Sequence, residues 1–196
     1  MSERVFFMPH ISNRVILFAN GDLKAPEKVR QLINQTDFLI AVDGGLKHID
    51  NLGLLPNLII GDLDSVDQAQ LEKHLAQGVE IRTYPREKNE TDLEIALGVA
   101  QSYSPTEIIL IAALGGRLDQ TLANIFLLTR QDLAKFNIRL IDGATEVFLI
   151  RSSASIHGSP GETVSLLPLN GPAFDITTTG LKYPLLNETL YTEHTR

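Results

Sequence analysis

Asn57–Val66 reads NLIIGDLDSV and, after an intervening segment, Tyr84–Glu94 reads YPREKNETDLE. Leu58 to Ile60 is an apolar run without alternation, the pattern of a strand covered by helices on both faces. It ends in Gly61-Asp62. Further on, Thr91-x-x-Glu94 is a capping-box pattern that opens a helix with Leu93, Ala96, Leu97 and Ala100 on one face. Buried strands that end in acids and alternate with helices predict a parallel sheet whose ligand sits above the strands' carboxyl ends.

Working outward, the same grammar recurs. Arg14 to Asn20 (RVILFAN) is a second unbroken run before Gly21, and Pro26 starts a helix carrying Val29, Leu32 and Ile33. Phe38 to Val42 ends in Asp43-Gly44-Gly45, and Leu46 to Leu52 reads as a short helix stopped by Gly53. Ser65 is placed to cap a helix over 66–77, and Val79 to Tyr84 alternates like a strand. Glu107 to Leu114 closes in Gly115-Gly116, after which Asp119 opens a helix expected to turn Leu122, Ile125, Phe126 and Leu133 inward. Ile138 to Ile141 is a further strand.

Beyond Asp142 helical periodicity disappears, and short extended pieces (146–150, 156–157, 163–169, 174–179 and 181–183) alternate with glycine and proline. The expected architecture is α/β: a doubly wound, mostly parallel sheet over 14–142, followed by a small all-β sandwich or barrel over 143–196, with 1–13 as a flexible N-terminal arm.

The chain has 196 residues, 43% of them hydrophobic, which suits one large or two small globular domains. A formal net charge of −7 argues against a nucleic-acid partner bound through a basic face. With no cysteine there are no disulfides, thiolate nucleophiles or thiolate metal sites. The N-terminus lacks a signal-peptide core, and no apolar run reaches the roughly 18 to 20 residues of a membrane span, so a cytoplasmic protein is expected.

Asp62 and Asp64 flank Leu63 at a strand end. If the backbone stays extended, alternation aims both carboxylates the same way, and two hard oxygen donors suit Mg²⁺. Each Asp alone reads equally well as a turn or helix cap. Asp43, Asp62 and Asp64 gathered at one sheet edge repel one another, which is hard to justify without a cation. Asp92 at a helix start, with Arg86 and Lys88 beside it, adds both signs of charge, the mixture that handles a metal-bound polyphosphate. Gly115-Gly116-Arg117-Leu118-Asp119 joins strand to helix and lets backbone N–H groups and Arg117 approach an anion. Neither a G-x-x-x-x-G-K-[ST] loop nor a G-x-G-x-x-G loop is present, and the five histidines show no metal-ligand spacing.

GDLDS, EKNETDLE and GGRLDQTLAN, in this order on a chain of this size, resemble the thiamine pyrophosphokinase family from about Asn20 to Lys182. The resemblance implies an α/β nucleotide-binding domain joined to a β-sandwich domain, a homodimer, and Mg²⁺-dependent transfer of the β,γ-diphosphate of ATP to the thiamine hydroxyl with release of AMP. It implies catalytic roles for Asp62, Asp64, Asp92 and Lys88, with Asp62, Asp64 and Asp92 as metal ligands. Asp43, Gly44, Lys88, Gly115, Gly116, Arg117, Asp119 and Asn124 would line the ATP site, and Asp92, Gln120 and Thr178 the thiamine site. Gly180 and Leu181 follow Thr178 in the matching segment.

Glu87 and Asn89 stand where the family often has Asp, and Gln120 where His is common. The family's Ser-Asn-bearing strand is not reached before Arg196, which implies that thiamine is contacted differently or by residues beyond that point. Two other readings are weighed: a module that binds nucleotide or thiamine without turnover, and a phosphatase in which Asp62 is a nucleophile, since Asp62-Leu63-Asp64-Ser65-Val66 also resembles the haloacid-dehalogenase loop. A calcium loop is disfavoured, because Asp67 and Lys73 occupy its glycine and terminal-acid positions.

Overall fold

Unbroken apolar runs become the middle of a seven-stranded sheet in the computed structural model, which describes residues 13–64 and 66–194. The elements, in order, are β1 (Arg14–Phe18), α1 (Pro26–Leu32), β2 (Phe38–Val42), α2 (Leu46–Asn51), β3 (Leu58–Gly61), α3 (Gln68–Ala76), β4 (Glu80–Thr83) and α4 (Asp92–Ser102). They continue with β5 (Glu107–Ile111), α5 (Leu118–Leu127), β6 (Asn137–Asp142) and β7 (Thr145–Phe148), and a second unit holds β8 (Ala173–Ile176) and β9 (Glu188–Leu190). The large sheet has the order β4-β3-β2-β1-β5-β6-β7, parallel except for the β6–β7 pair. Connections leave β1 toward β2 on one side, while β5 lies against its other flank, so the order reverses between β1 and β5.

Both faces of this sheet are buried, as the lack of alternation required. Val15, Leu17, Ile40, Leu58, Ile60, Ile108 and Leu110 pack with α4 through Leu93, Ala96, Leu97 and Ala100. Ile16, Phe18, Ala41, Ile59, Ile109 and Ile111 face the other way, against Val29, Leu46, Ile49 and Leu71. Helix α4 starts at the expected capping box: the Thr91 hydroxyl accepts from the Glu94 N–H at 3.2 Å, and the Glu94 carboxylate accepts from the Thr91 N–H at 2.8 Å.

Several expectations are corrected. Ser65 lies outside the described residues, and the cap of α3 is Asp67, whose side chain accepts from the Ala69 N–H at 3.3 Å. Of the expected arm only Asn13 is described, its carbonyl accepting from the Thr106 N–H at 2.9 Å. Helix α5 does not bury its apolar stripe: Leu122 is 44% and Phe126 51% exposed, joined by Leu118 at 72%. Residues 118, 122 and 126 recur at one helical spacing, whereas Ile125, on a neighbouring line, packs toward the core. Leu133 is buried, but beyond the end of α5.

Thr145–Phe148, expected to open the β domain, instead pairs antiparallel with β6 as the last strand of the large sheet. A tight turn at Gly143, with φ of 63°, makes that hairpin possible. The compact units divide between Arg151 and Ser152, later than the change of texture suggested. The second unit is a small antiparallel β part, with β8 pairing β9 as its ladder among the described residues. The other stretches expected there as strands, 156–157, 163–169 and 181–183, form no ladder among the described residues, and 181–183 is a bend.

Replacing Thr91 by Ala removes one half of the α4 capping box. Chemical denaturation is expected to show a loss of about 1 kcal/mol.

Candidate active site

The acids and glycines singled out above collect at the carboxyl edge of the sheet. Asp43 follows β2 in a single 3₁₀ turn, Asp43–Gly45, and holds φ of 47°, a region that Asp tolerates better than most side chains. Gly61 ends β3 with φ of 153°, and a Cβ there would stand 1.6 Å from Asp43 Oδ1. Only glycine leaves room for that carboxylate. Asp43 Oδ1 also accepts from the Leu63 N–H at 3.4 Å, tying the β2 and β3 loops together.

The carboxylate pair that meets is not the one expected. Leu63 has φ of 58°, so the chain is not extended between Asp62 and Asp64 and the alternation argument fails. Asp62 Oδ1 instead accepts from the Asp64 N–H at 3.2 Å in a local turn, and the exposed Asp64 carboxylate lies 3.5 Å from Arg86 Nη1. Asp43 is the acid hydrogen-bonded to Asp92. Burial, that hydrogen bond and the charge of Asp92, with a further contribution from Asp62, push the Asp43 carboxyl up to about 7. Lys88 Nζ lies 2.5 Å from Asp92 Oδ1, with both side chains largely buried, so this lysine neutralises the acid that crowds Asp43. Arg86, Lys88 and Asp92 thus share one loop and helix start, as expected.

A group of acids forced to retain a proton near neutrality has the chemistry of a divalent-cation site, because a bound cation relieves the same repulsion. Among the described residues no three carboxylates or imidazoles are close enough to cage an ion by themselves. Two or three oxygens, completed by water and phosphate, match Mg²⁺ better than a cage does. The donor set therefore fits that ion.

On the other side of β1, Gly115 and Gly116 have φ of 88° and 68° and form the turn into α5. The Gly115 N–H donates to Thr121 Oγ1 at 3.1 Å. Arg117 forks onto Asp119, Nε to Oδ1 at 3.1 Å and Nη2 to Oδ2 at 2.5 Å, with both side chains mostly exposed. This pair holds the Asp119 carboxyl below its usual range. The fork uses two of the five guanidinium N–H donors, so Arg117 can meet a phosphate while still held on Asp119. The Asn124 amide donates to the Ala113 carbonyl at 2.7 Å, so it supports the end of β5. Gln120 is exposed on the first turn of α5. In the second unit, Thr178 closes a loop on Leu185, its N–H donating to the Leu185 carbonyl at 3.0 Å and its Oγ1 accepting from the Leu185 N–H at 2.8 Å.

The β1–α1 loop escaped sequence reading. Lys47 Nζ donates to Asn20 Oδ1 at 2.9 Å, and Asn20 abuts Gly44, where a Cβ would meet its side-chain oxygen at 2.4 Å. His48 Nε2 lies 2.8 Å from the Gly21 carbonyl, and burial holds this imidazole below its ordinary range, so it is a neutral donor there. The available signal was that Asn20-Gly21-Asp22 follows a buried strand just as Asp43-Gly44-Gly45 does. A small concavity of about 50 Å³, lined in part by Leu128, Asn137, Leu149 and Arg151, lies at the opposite edge of the sheet and takes no part in this arrangement.

The family model "Thiamin pyrophosphokinase, catalytic domain" matches residues 29–141, and "Thiamin pyrophosphokinase, vitamin B1 binding domain" matches residues 150–195. A thiamine pyrophosphokinase of Bacillus subtilis is 30% identical over 158 residues, covering 76% of this chain and 70% of the relative. Thiamine pyrophosphokinase 1 of Oryza sativa subsp. japonica is 30% identical over 146 residues, which are 69% of this chain and 54% of that protein. Among solved structures, thiamine pyrophosphokinase from Bacillus subtilis superposes with a TM-score of 0.81 at 26% identity, covering 93% of this chain and 86% of that one. The yeast thiamin pyrophosphokinase shares the fold, with a TM-score of 0.70 at 21% identity over 90% of this chain and 75% of that chain.

Asp43 gives a pH signature with a definite sign. Its folded-state carboxyl is raised from 3.8 to about 7, so between those values the folded protein holds a proton that the unfolded chain has lost. Stability of the metal-free protein is therefore expected to fall as pH rises through that window. Asp43→Asn should flatten the dependence and stabilise the metal-free chain at pH 8 by on the order of 1–2 kcal/mol, a figure reduced for the screening of a half-buried group. Denaturation at pH 5 and pH 8 measures both.

Proposed function

The chain belongs to the thiamin pyrophosphokinase family, whose members are diphosphotransferases, and from this premise we propose how its residues divide the work. The substrates are ATP and thiamine. The thiamine hydroxyl oxygen attacks the β-phosphorus of ATP, a new oxygen–phosphorus bond forms there, and the bond from that phosphorus to the bridging oxygen of AMP breaks in line. The hydroxyl proton passes to Asp43, the half-buried acid beside Asp92 whose carboxyl is raised toward neutrality. Lys88, already at Asp92, and Arg117, held on Asp119 through two of its five N–H donors, balance charge on the transferring phosphates. Gly44 and Gly116 give phosphate oxygens access to backbone N–H groups, while Gly115, whose N–H is held by Thr121, shapes the turn.

Asp62 and Asp92 are the carboxylates best disposed to hold Mg²⁺, which when bound neutralises phosphate oxygens. Asp64 must release Arg86 to join them. Gln120 and Thr178 remain proposed contacts of thiamine, and the match of the second unit to a vitamin B1 binding domain supports the latter. The single observation that carries this reading is the meeting of Asp43, Asp92 and Lys88 at the sheet edge that also bears the Gly115-Gly116 turn.

A homodimer in the cytoplasm is part of the proposal. The exposed line Leu118, Leu122 and Phe126 supports association, because contiguous apolar surface on a soluble chain marks an interaction face. The absence of cysteine suits a reducing compartment. No helix among the described residues is long and apolar enough to cross a membrane.

AMP formation from ATP and Mg²⁺, measured with and without thiamine, is expected to require thiamine and to yield thiamine diphosphate in equal amount. Asp62→Ala should lower turnover on the order of 10²-fold, as the loss of one preorganised electrostatic group does. Undiminished turnover in that variant would remove Asp62 from the site, and ATP binding without AMP release would favour a non-catalytic binding module. Paired substitution of Leu122 and Phe126 by Glu is expected to shift sedimentation from dimer toward monomer. An unchanged sedimentation coefficient would exclude this face from the interface.

A further inference from the structure

Between β1 and β5, where the strand order reverses, a doubly wound sheet opens the crevice in which nucleotides bind. The β1–α1 loop forms one lip of that crevice and is fixed from three directions. Toward β5, the Gly21 N–H donates to the Ala112 carbonyl at 2.9 Å, and a Cβ on Gly21 would stand 2.4 Å from that oxygen. Toward α2, the neutral His48 holds the Gly21 carbonyl and Lys47 holds Asn20. Toward β6, Lys24 Nζ reaches Asp142 Oδ2 at 2.7 Å.

This rigid loop presents one carboxylate that no described residue engages. Asp22 is exposed, and among the described residues it accepts no hydrogen bond. It faces the Gly115-Gly116 turn: a Cβ built on Gly115 would lie 3.8 Å from Asp22 Oδ2. Lys24 is within electrostatic reach but is already bonded to Asp142. A carboxylate carried on an anchored loop beside the turn proposed to take phosphate repels phosphate and suits a neutral donor of the same nucleotide. The donor next to the phosphates is the ribose, whose vicinal hydroxyls can reach the two oxygens of one carboxylate.

We propose that Asp22 is a specificity-determining residue that accepts hydrogen bonds from the ribose hydroxyls of the nucleotide. This rests on the reading of the site as an ATP site. Anchoring the loop backbone lowers the ordering cost of placing that acceptor at the sugar.

The test compares the intact wild-type chain with Asp22→Ala and Asp22→Asn, using ATP and 2′-deoxy-ATP as co-substrates. The wild type is expected to prefer ATP on the order of 10-fold or more in kcat/KM, the worth of a hydrogen bond to a charged group. Asp22→Ala should lose that preference by weakening only the ATP reaction, with KM for thiamine unchanged, and Asp22→Asn should fall between. A preference equally strong in Asp22→Ala, or no preference in the wild type, overturns the proposal. Binding of AMP and 2′-deoxy-AMP, followed by calorimetry, separates this from failure of the diphosphotransfer reading. Tighter AMP binding that depends on Asp22 supports the ribose contact even in a chain that releases no AMP from ATP, and equal binding of both nucleotides overturns it.

Discussion

The contact between Asp43 and Gly61 sets the arrangement of the whole carboxyl edge. A carboxylate packed where a β-carbon would be cannot move toward β3, and its approach to Asp92 is then fixed by the capping box that starts α4. Two acids are held together by backbone features remote from their charges. The result is a proton retained near neutral pH and a lysine, Lys88, recruited to the second acid. Without the bare α-carbon of Gly61 the β2 and β3 loops separate and the acids relax into water. With it, like charges remain close, and a cation or a substrate proton has a reason to bind.

Such crowding is destabilising on its own, and the sheet beneath tolerates it. Residues on β1, β2, β3 and β5 are essentially inaccessible on both faces, so burial is concentrated in the four strands whose ends carry or flank the site. Each fully buried Leu or Ile contributes roughly 1.5–3 kcal/mol relative to an exposed one. A proton held against its ordinary affinity on a half-buried acid is of the same size as one such side chain. Strain at the edge is thus affordable only because the strands that end there are the most deeply covered.

What the sequence disclosed was what local chemistry decides. Runs such as RVILF and EIILI have no polar face, so they could only be central strands, and Thr91-x-x-Glu94 could only open a helix. The direction of the Asp62 and Asp64 side chains was not legible, because it hangs on one torsion at Leu63 that tertiary contact with Asp43 sets. The membership of Thr145–Phe148 was hidden for a related reason: a short strand pairs with whichever edge is open, and β6 offered one across a two-residue turn. Leu122 and Phe126 looked like core because periodicity reports that a face is apolar and is silent about what covers it.

The β1–α1 loop shows the same limit from the other side. Asn20, Asp22 and Lys24 are ordinary turn residues in sequence, and nothing in their spacing distinguishes a solvated turn from a built lip. The distinction lies in partners far along the chain: Lys47 and His48 on α2, Ala112 after β5, Asp142 at the end of β6. Three separate segments converge to anchor a loop whose exposed carboxylate they leave alone. Anchoring of that kind stabilises the fold little, since several of the contacts are polar and partly exposed. Its effect is to keep the backbone that carries one acceptor beside the glycine turn, on the opposite side of β1 from the acids that crowd Asp43, so the sheet edge presents two separate electrostatic surfaces, as the proposed nucleotide site requires.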